Sequence, residues 1–225
     1  FGSPTKWGIG PNVAEFDANG IAPGGAFGTP GSATFSITGA GLNTAFGIDT
    51  DHIGNSVADS VLGIGSLATV IDWALDTWAA VSGFTNLGEV ADGGGNFGAS
   101  GATGHTGDIR AGAWRIGTGG VLAHAYQPGA EASFGAGWNI GGDTHFDTDW
   151  IWSNDPLDDG DADIDIYTVA LHEIGHALGL GHSGVSGSIM EPIYAGGRRS
   201  LHADDIAGIQ AIYGPRIVTP GVPDV

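Results

Sequence analysis

The sequence predicts one domain of α+β class. Three observations carry that reading. Three stretches keep helical apolar spacing, five short strand-like runs are bounded by glycine, and glycine fills 43 of 225 positions. That glycine share is far above the usual ~7%. No Gly-X-Y period accompanies it, and a hydrophobic content of 41% is too high for global disorder, so the glycines belong in long loops between ordinary elements. A chain of 225 residues is long enough to bury a real core.

Ala33–Thr38 reads as the first strand. Ser66–Ser82 reads as the first helix, because Leu67, Val70, Ile71, Ala74, Leu75, Trp78 and Val81 recur at helical spacing and Gly83 stops it. Four more strands follow at Phe84–Val90, Ile109–Trp114, Val121–Tyr126 and Thr144–Asp147, with Gly-rich connections at Ala91–Gly107 and Gly129–Gly142. A second helix starts near Asp165, its expected N-cap, with Ala170, Leu171, Ile174, Ala177 and Leu178 on its inner side. The acidic run Asp155–Asp165 reads as a solvated loop feeding that cap, or as a further calcium loop, since alternating Asp around Gly160 offers oxygen ligands. The third helix covers Asp204–Tyr213, with Asp204 and Asp205 in the first turn, where the helix dipole favours them, and Gly214-Pro215 as its stop. Pro215–Val225 carries three prolines and no periodicity, which reads as a tail or linker after a domain at residues 1–214.

Charge narrows the function classes. With 25 acidic against 6 basic residues the formal charge is −19, which excludes nucleic acid and anionic membrane surfaces as natural partners. Among the acids Asp outnumbers Glu 20 to 5, a bias that suits turns, caps and oxygen-rich cation loops. Cysteine is absent, so neither disulfides nor thiol chemistry enter. No apolar run approaches the ~18 residues of a membrane span. The chain opens at Phe1 without a basic-plus-apolar leader, and the expectation is that any signal or pro-segment has been removed.

The chemistry lies in one window, His172-Glu173-Ile174-Gly175-His176-Ala177-Leu178-Gly179-Leu180-Gly181-His182. Residues four apart share a helix face, so His172 and His176 present two imidazoles to one ion. Gly179 lets the backbone leave the helix in a conformation that a Cβ resists, and the turn swings His182 back as a third nitrogen. Three His and one water make a tetrahedral Zn²⁺ site with an open position, the catalytic rather than the closed structural form. Glu173 lies one residue round, where it reaches the water without binding the ion and serves as its general base.

This window is the metzincin form of the zinc-peptidase signature, and Ser188-Ile189-Met190-Glu191-Pro192-Ile193-Tyr194 resembles the Met-turn of the matrixins, the matrix-metalloproteinase family. Gly120–Tyr126, Gly142–Asp147 and Asp204–Gln210 with Tyr213-Gly214 are similar to matrixin segments too. A serralysin-like branch would place tyrosine where Pro192 stands. The resemblance implies a zincin fold, a twisted, mainly parallel five-stranded sheet with three helices and a Met-turn after the active-site helix. It implies a secreted, monomeric zinc endopeptidase acting on extended protein or peptide substrates. In that reading Met190 is the floor beneath the metal, Leu122 and Ala123 lie on the sheet edge that pairs with substrate, and Pro192 and Tyr194 wall a side-chain pocket. Asp108 and Asp143, with the carbonyls of Asn139 and Gly141, match a structural calcium site. The ammonium of Phe1 pairs with Asp204 or Asp205, with a slight lean to Asp205. A catalytically silent, calcium-stabilised binding module is the alternative from another class, and an intact Glu173 argues against it.

Two departures from the matrixin pattern matter. The loop that would carry half of a second zinc site after Asp108 is missing, and Trp150 stands where a calcium-binding Glu is expected. His124 and His145 keep the remaining zinc positions, either completed by another residue such as His105 or as ordinary strand histidines. Structural zinc normally needs four ligands. The metal content follows as one tightly held zinc and at least one calcium per chain. Elemental analysis after dialysis checks it, with two zinc equivalents or zero calcium as the contrary results.

Overall fold

The computed structural model describes residues 6–8, 27–39, 66–94, 107–116, 119–128, 140–154 and 163–217. Strand β1 (Gly31–Ile37) leads to helix α1 (Leu67–Ala79), which returns the chain to β2 (Phe84–Glu89). Then come β3 (Ile109–Trp114), β4 (Ala123–Ala125) and β5 (Thr144–Asp147). Two short strands, β6 (Trp152–Ser153) and β7 (Ile164–Asp165), precede α2 (Ile166–Ala177) and α3 (Ala203–Tyr213). The main sheet runs in the order β2-β1-β3-β5-β4. All its pairs are parallel except β4 with β5. A mainly parallel five-stranded sheet with three helices is the architecture expected from the sequence.

The centre of the sheet is buried throughout. All six residues of β3 are buried, as parallel strands covered on both faces require. The apolar stripe of α1 packs into the core with Leu67, Val70, Ile71, Ala74, Leu75 and Trp78 all fully buried. The Leu, Val and Ile side chains among them each contribute about 1.5–3 kcal/mol of transfer free energy. Helix α2 meets α1 through that stripe, and two polar contacts fix the register. The Trp78 indole donates to the Leu171 carbonyl at 3.0 Å, and the Thr77 and Tyr167 hydroxyls lie 2.7 Å apart. Leu171 directly precedes His172, so core packing sets the place of the first histidine.

Strand β4 is shorter than the sequence suggests because it lies on the sheet edge and pairs on one side only. Its hydrogen bonding nonetheless runs beyond its ends, from Asp147 N–H to the Leu122 carbonyl and from Tyr126 N–H to the Asp143 carbonyl, both 2.9 Å. Helix α3 starts one residue earlier than expected. His202 is its N-cap, accepting from Asp204 N–H at 3.1 Å, while Asp205 reaches back to His202 N–H at 2.8 Å to close a capping box. Past α3, Pro215 pairs with Ser82 in an isolated bridge.

The start of α2 behaves as read. Asp165 caps it by accepting from Thr168 N–H at 3.2 Å, and its buried carboxylate also receives the Thr168 hydroxyl and the Arg199 guanidinium. Asp165→Ala removes an N-cap worth about 1–2 kcal/mol and leaves Arg199 without its carboxylate. The expected loss is at least that amount, read as a lower urea midpoint at unchanged m value.

Candidate metal centre

Helix α2 carries His172 and His176 on one face, and the chain after it brings His182 to meet them. The three ring centroids lie 4.7 to 5.2 Å apart. One ligating atom from each residue falls within 4.8 Å of the others, the one such group of three or more among the described residues. The turn needs Gly179, whose φ of +106° lies in the region that side chains resist.

Backbone carbonyls assign the tautomers. His172 Nδ1 donates to the Ile189 carbonyl at 2.7 Å, and His176 Nδ1 donates to the Leu180 carbonyl at 2.8 Å. With those protons committed, both Nε2 atoms carry lone pairs, yet they lie 3.1 Å apart. Burial lowers the pKa of His172. Burial, and then the charge of His172, hold His176 down at about 4. Neither ring is therefore ready to supply the missing proton near neutral pH. A cation resolves the contact, since tetrahedral zinc with Zn–N of ~2.0–2.1 Å holds its nitrogens about 3.3–3.4 Å apart. The donor set fits zinc.

Glu173 lines the same cleft as the three histidines and is buried. Its Oε2 has no hydrogen-bond partner among the described residues, and burial pushes its pKa up to about 8. An orphaned carboxyl beside a cation site is poised to exchange a proton.

Met190 lies beneath the helix, almost fully buried. A Cβ on Gly175 would come within 2.4 Å of its sulfur, so the glycine inside the motif makes room for the Met-turn. The turn is held by Asp205, whose buried carboxylate accepts from Ser188 Oγ, Ile189 N, Met190 N and His202 N at 2.5 to 3.1 Å. Fixing Ile189 and Met190 in this way also aims the Ile189 carbonyl at His172. The sequence singled out Asp205 for another role. Its acid in the first turn of a helix, three residues after His202, was the available signal for the capping half of this one.

Of the remaining sequence-derived residues, Leu122, Ala123, Pro192 and Tyr194 line one cleft with the histidines. Asp108 and Asp143 are buried, and Gly142 brings their segments together, because its added Cβ would stand 2.8 Å from the Asp108 carbonyl. One Asp108 oxygen accepts from Thr34 N and Oγ1 at 2.8 and 2.7 Å. Gly141 is buried beside them, whereas Asn139, His105 and Phe1 lie outside the described residues. His124 and His145 face each other across the β4–β5 register with ring centroids 4.7 Å apart, and His145 lies against Trp114 at 4.2 Å. Trp150 donates its indole N–H to the Val121 carbonyl at 2.9 Å, bracing the segment that enters the edge strand.

Comparison with known proteins decides the family. The matrixin family model matches residues 55–214, well over half of the chain. The chain belongs to the matrixin family. Bovine (Bos taurus) interstitial collagenase is 47% identical over 115 residues, 48% of this chain and 22% of that protein. Rat (Rattus norvegicus) matrilysin is 46% identical over 103 residues, 44% of this chain and 34% of its own length. Human (Homo sapiens) matrix metalloproteinase-16 is 48% identical over 103 residues, 44% of this chain and 15% of its own. The match thus spans between 15% and 34% of these relatives. Matrixins use a catalytic zinc and structural calcium, and the metzincin fold expected from the motif is the one observed. The serralysin-like branch is set aside.

Gly175→Ala tests the packing of this centre. Overfilling the contact with Met190 costs about 1–3 kcal/mol, visible as a lower midpoint in chemical denaturation. An unchanged midpoint would show that Met190 yields freely.

Proposed function

We propose that residues 1–214 form the catalytic domain of a secreted, monomeric zinc endopeptidase that hydrolyses peptide bonds in extended protein or peptide substrates, with residues 215–225 as a tail or linker. The observation that carries this reading is the pair of Nε2 lone pairs 3.1 Å apart, completed by His182 and flanked by an orphaned Glu173 in one cleft. The names of the relatives, collagenase, matrilysin and matrix metalloproteinase, support the substrate class.

His172, His176 and His182 would hold the zinc, which when bound would polarise the scissile carbonyl and acidify the attacking water. Glu173 would take a proton from the attacking water and deliver it to the leaving amine, a role that needs a carboxyl near the ion but outside its ligand set. A nearby cation favours the ionised form of Glu173 and offsets the burial that otherwise raises its pKa. The fixed tautomers of His172 and His176 keep their lone pairs turned to the ion without reorganisation.

The edge of the sheet receives substrate. Hydrogen bonds to β5 involve Leu122 and Tyr126, so the alternation of an antiparallel pair turns the backbone groups of Ala123 and Ala125 away from β5. An extended peptide adds there as a further strand. Pro192 and Tyr194 wall the pocket for the side chain after the scissile bond, and the Tyr194 hydroxyl is fixed by accepting from Asp165 N–H at 3.1 Å. Calcium would be held by Asp108, Asp143 and the Gly141 carbonyl, with Asn139 as the further ligand expected from the sequence, and would support stability rather than chemistry. Asp205 already accepts four donors, whereas exposed Asp204 accepts the Ser183 hydroxyl at 2.6 Å, which favours Asp204 over the slight lean to Asp205 as the partner of the Phe1 ammonium. No described helix is long and apolar enough to cross a membrane.

Glu173→Gln keeps the shape and removes the base. It is expected to retain its zinc and lose about 10³-fold or more in kcat. Peptide-library cleavage by parent and variant, each with and without a chelator, measures this. Parent-like turnover by Glu173→Gln, or chelator-insensitive cleavage, contradicts the proposed function.

A further inference from the structure

The end of α2 leaves a row of carbonyls beyond the reach of helical N–H groups. The local backbone satisfies three of them. Leu178 N–H donates to Ile174 O at 2.8 Å, Gly179 N–H to His176 O at 2.8 Å, and Leu180 N–H to Gly175 O at 2.9 Å. The next two are satisfied from far away in sequence. Trp7 Nε1 donates to the Ala177 carbonyl at 2.8 Å, and the Tyr213 hydroxyl donates to the Leu178 carbonyl at 2.9 Å. Trp7 N–H donates in turn to that hydroxyl at 3.2 Å, so the two caps form one chain of hydrogen bonds.

The segment that brings Trp7 there is anchored. The Lys6 ammonium donates to the Thr29 carbonyl and hydroxyl and to the Pro30 carbonyl at 2.8 to 3.2 Å, and lies 5.4 Å over the Tyr213 ring. Trp7 itself is only 2% exposed, and its ring abuts Gly142, whose added Cβ would stand 2.7 Å away. An indole donor buried in this way has no alternative partner in water, and neither has the Ala177 carbonyl.

We propose that Trp7 is a positioning residue for the third metal ligand. Its indole N–H fixes the Ala177 peptide, which sets the direction in which the chain leaves α2 and hence where His182 arrives. His172 and His176 ride on the helix and are placed by core packing. His182 lies beyond the turn at Gly179 and depends on its geometry. Without the donor, the Ala177 peptide rotates to find another partner, and the displacement propagates five residues to the ligand. The consequence falls on metal affinity more than on helix stability. The inference rests on the zinc reading of the cluster.

Trp7→Phe keeps an aromatic ring and removes the donor. Zinc dissociation constants of parent and variant are measured by competition with a chromogenic chelator, alongside thermal unfolding of both zinc-free forms. The expected result is a 10–100-fold weaker zinc affinity, the range seen when a group supporting metal ligands is lost, over and above the lower zinc-free stability that an unsatisfied carbonyl and a smaller ring bring by themselves. Cobalt(II) substituted for zinc should show an altered visible spectrum in the variant. Should Trp7→Phe fail to fold, 3-benzothienylalanine at position 7, which keeps the bicyclic shape and puts sulfur in place of the N–H, carries the same test with the same expectation. Zinc affinity within twofold of the parent, with or without a lower zinc-free melting temperature, overturns the proposal and leaves Trp7 as packing alone. A parent that binds no stoichiometric zinc overturns the zinc reading itself, and this inference falls with it.

Discussion

Two imidazoles that face each other with lone pairs and no proton between them impose the condition on which this structure depends. His172 and His176 spend their Nδ1 protons on the carbonyls of Ile189 and Leu180, and their Nε2 atoms meet at 3.1 Å. In a buried setting that disfavours imidazolium, such a contact is repulsive until a cation enters it. Much of the surrounding architecture holds this arrangement against relaxation. Helix α2 is pinned to α1 through Trp78, Asp205 holds the Ile189 carbonyl in place, and Gly175 leaves space for Met190 beneath the rings.

Several acids among the described residues are spent on other partners. Asp92 binds the Arg110 guanidinium through both oxygens at 2.9 and 3.0 Å, in a nearly buried pair. Asp165 and Asp205 are consumed by a cap and a turn. Among the described residues that line the cleft, Glu173 is the buried acid, and its Oε2 has no hydrogen-bond partner. A low-dielectric wall around one unspent carboxyl is what general base chemistry requires.

What the sequence revealed follows the range of the forces involved. Strands β3 and β5 were legible to the residue because glycines mark where they begin, Gly107 just ahead of β3 and Gly141-Gly142 just ahead of β5. The α2 start was legible because Asp165 caps through its own side chain within one turn. The metal cluster was legible because helix periodicity alone brings His172 and His176 together, and one glycine explains His182. Edge strand β4 was overestimated, since an edge carries no second partner to extend it, and the two-residue strands β6 and β7 were invisible because so short a pairing leaves no periodicity. Trp7, Gln127 and Tyr213 were not legible as donors to the carbonyls at the end of α2 and in the turn after it. Gln127 reaches the Leu180 carbonyl at 3.0 Å across 53 residues, and Trp7 reaches Ala177 across 170. Such contacts exist only once the fold has assembled them.

Occupation of the contact between these histidines by one zinc is visible to zinc K-edge X-ray absorption on protein loaded with a single equivalent. Three imidazole nitrogens and one further light atom are expected at ~2.0–2.1 Å, in a tetrahedral shell without sulfur. Fewer than three imidazoles, or a sulfur scatterer that would make Met190 a ligand, would contradict it.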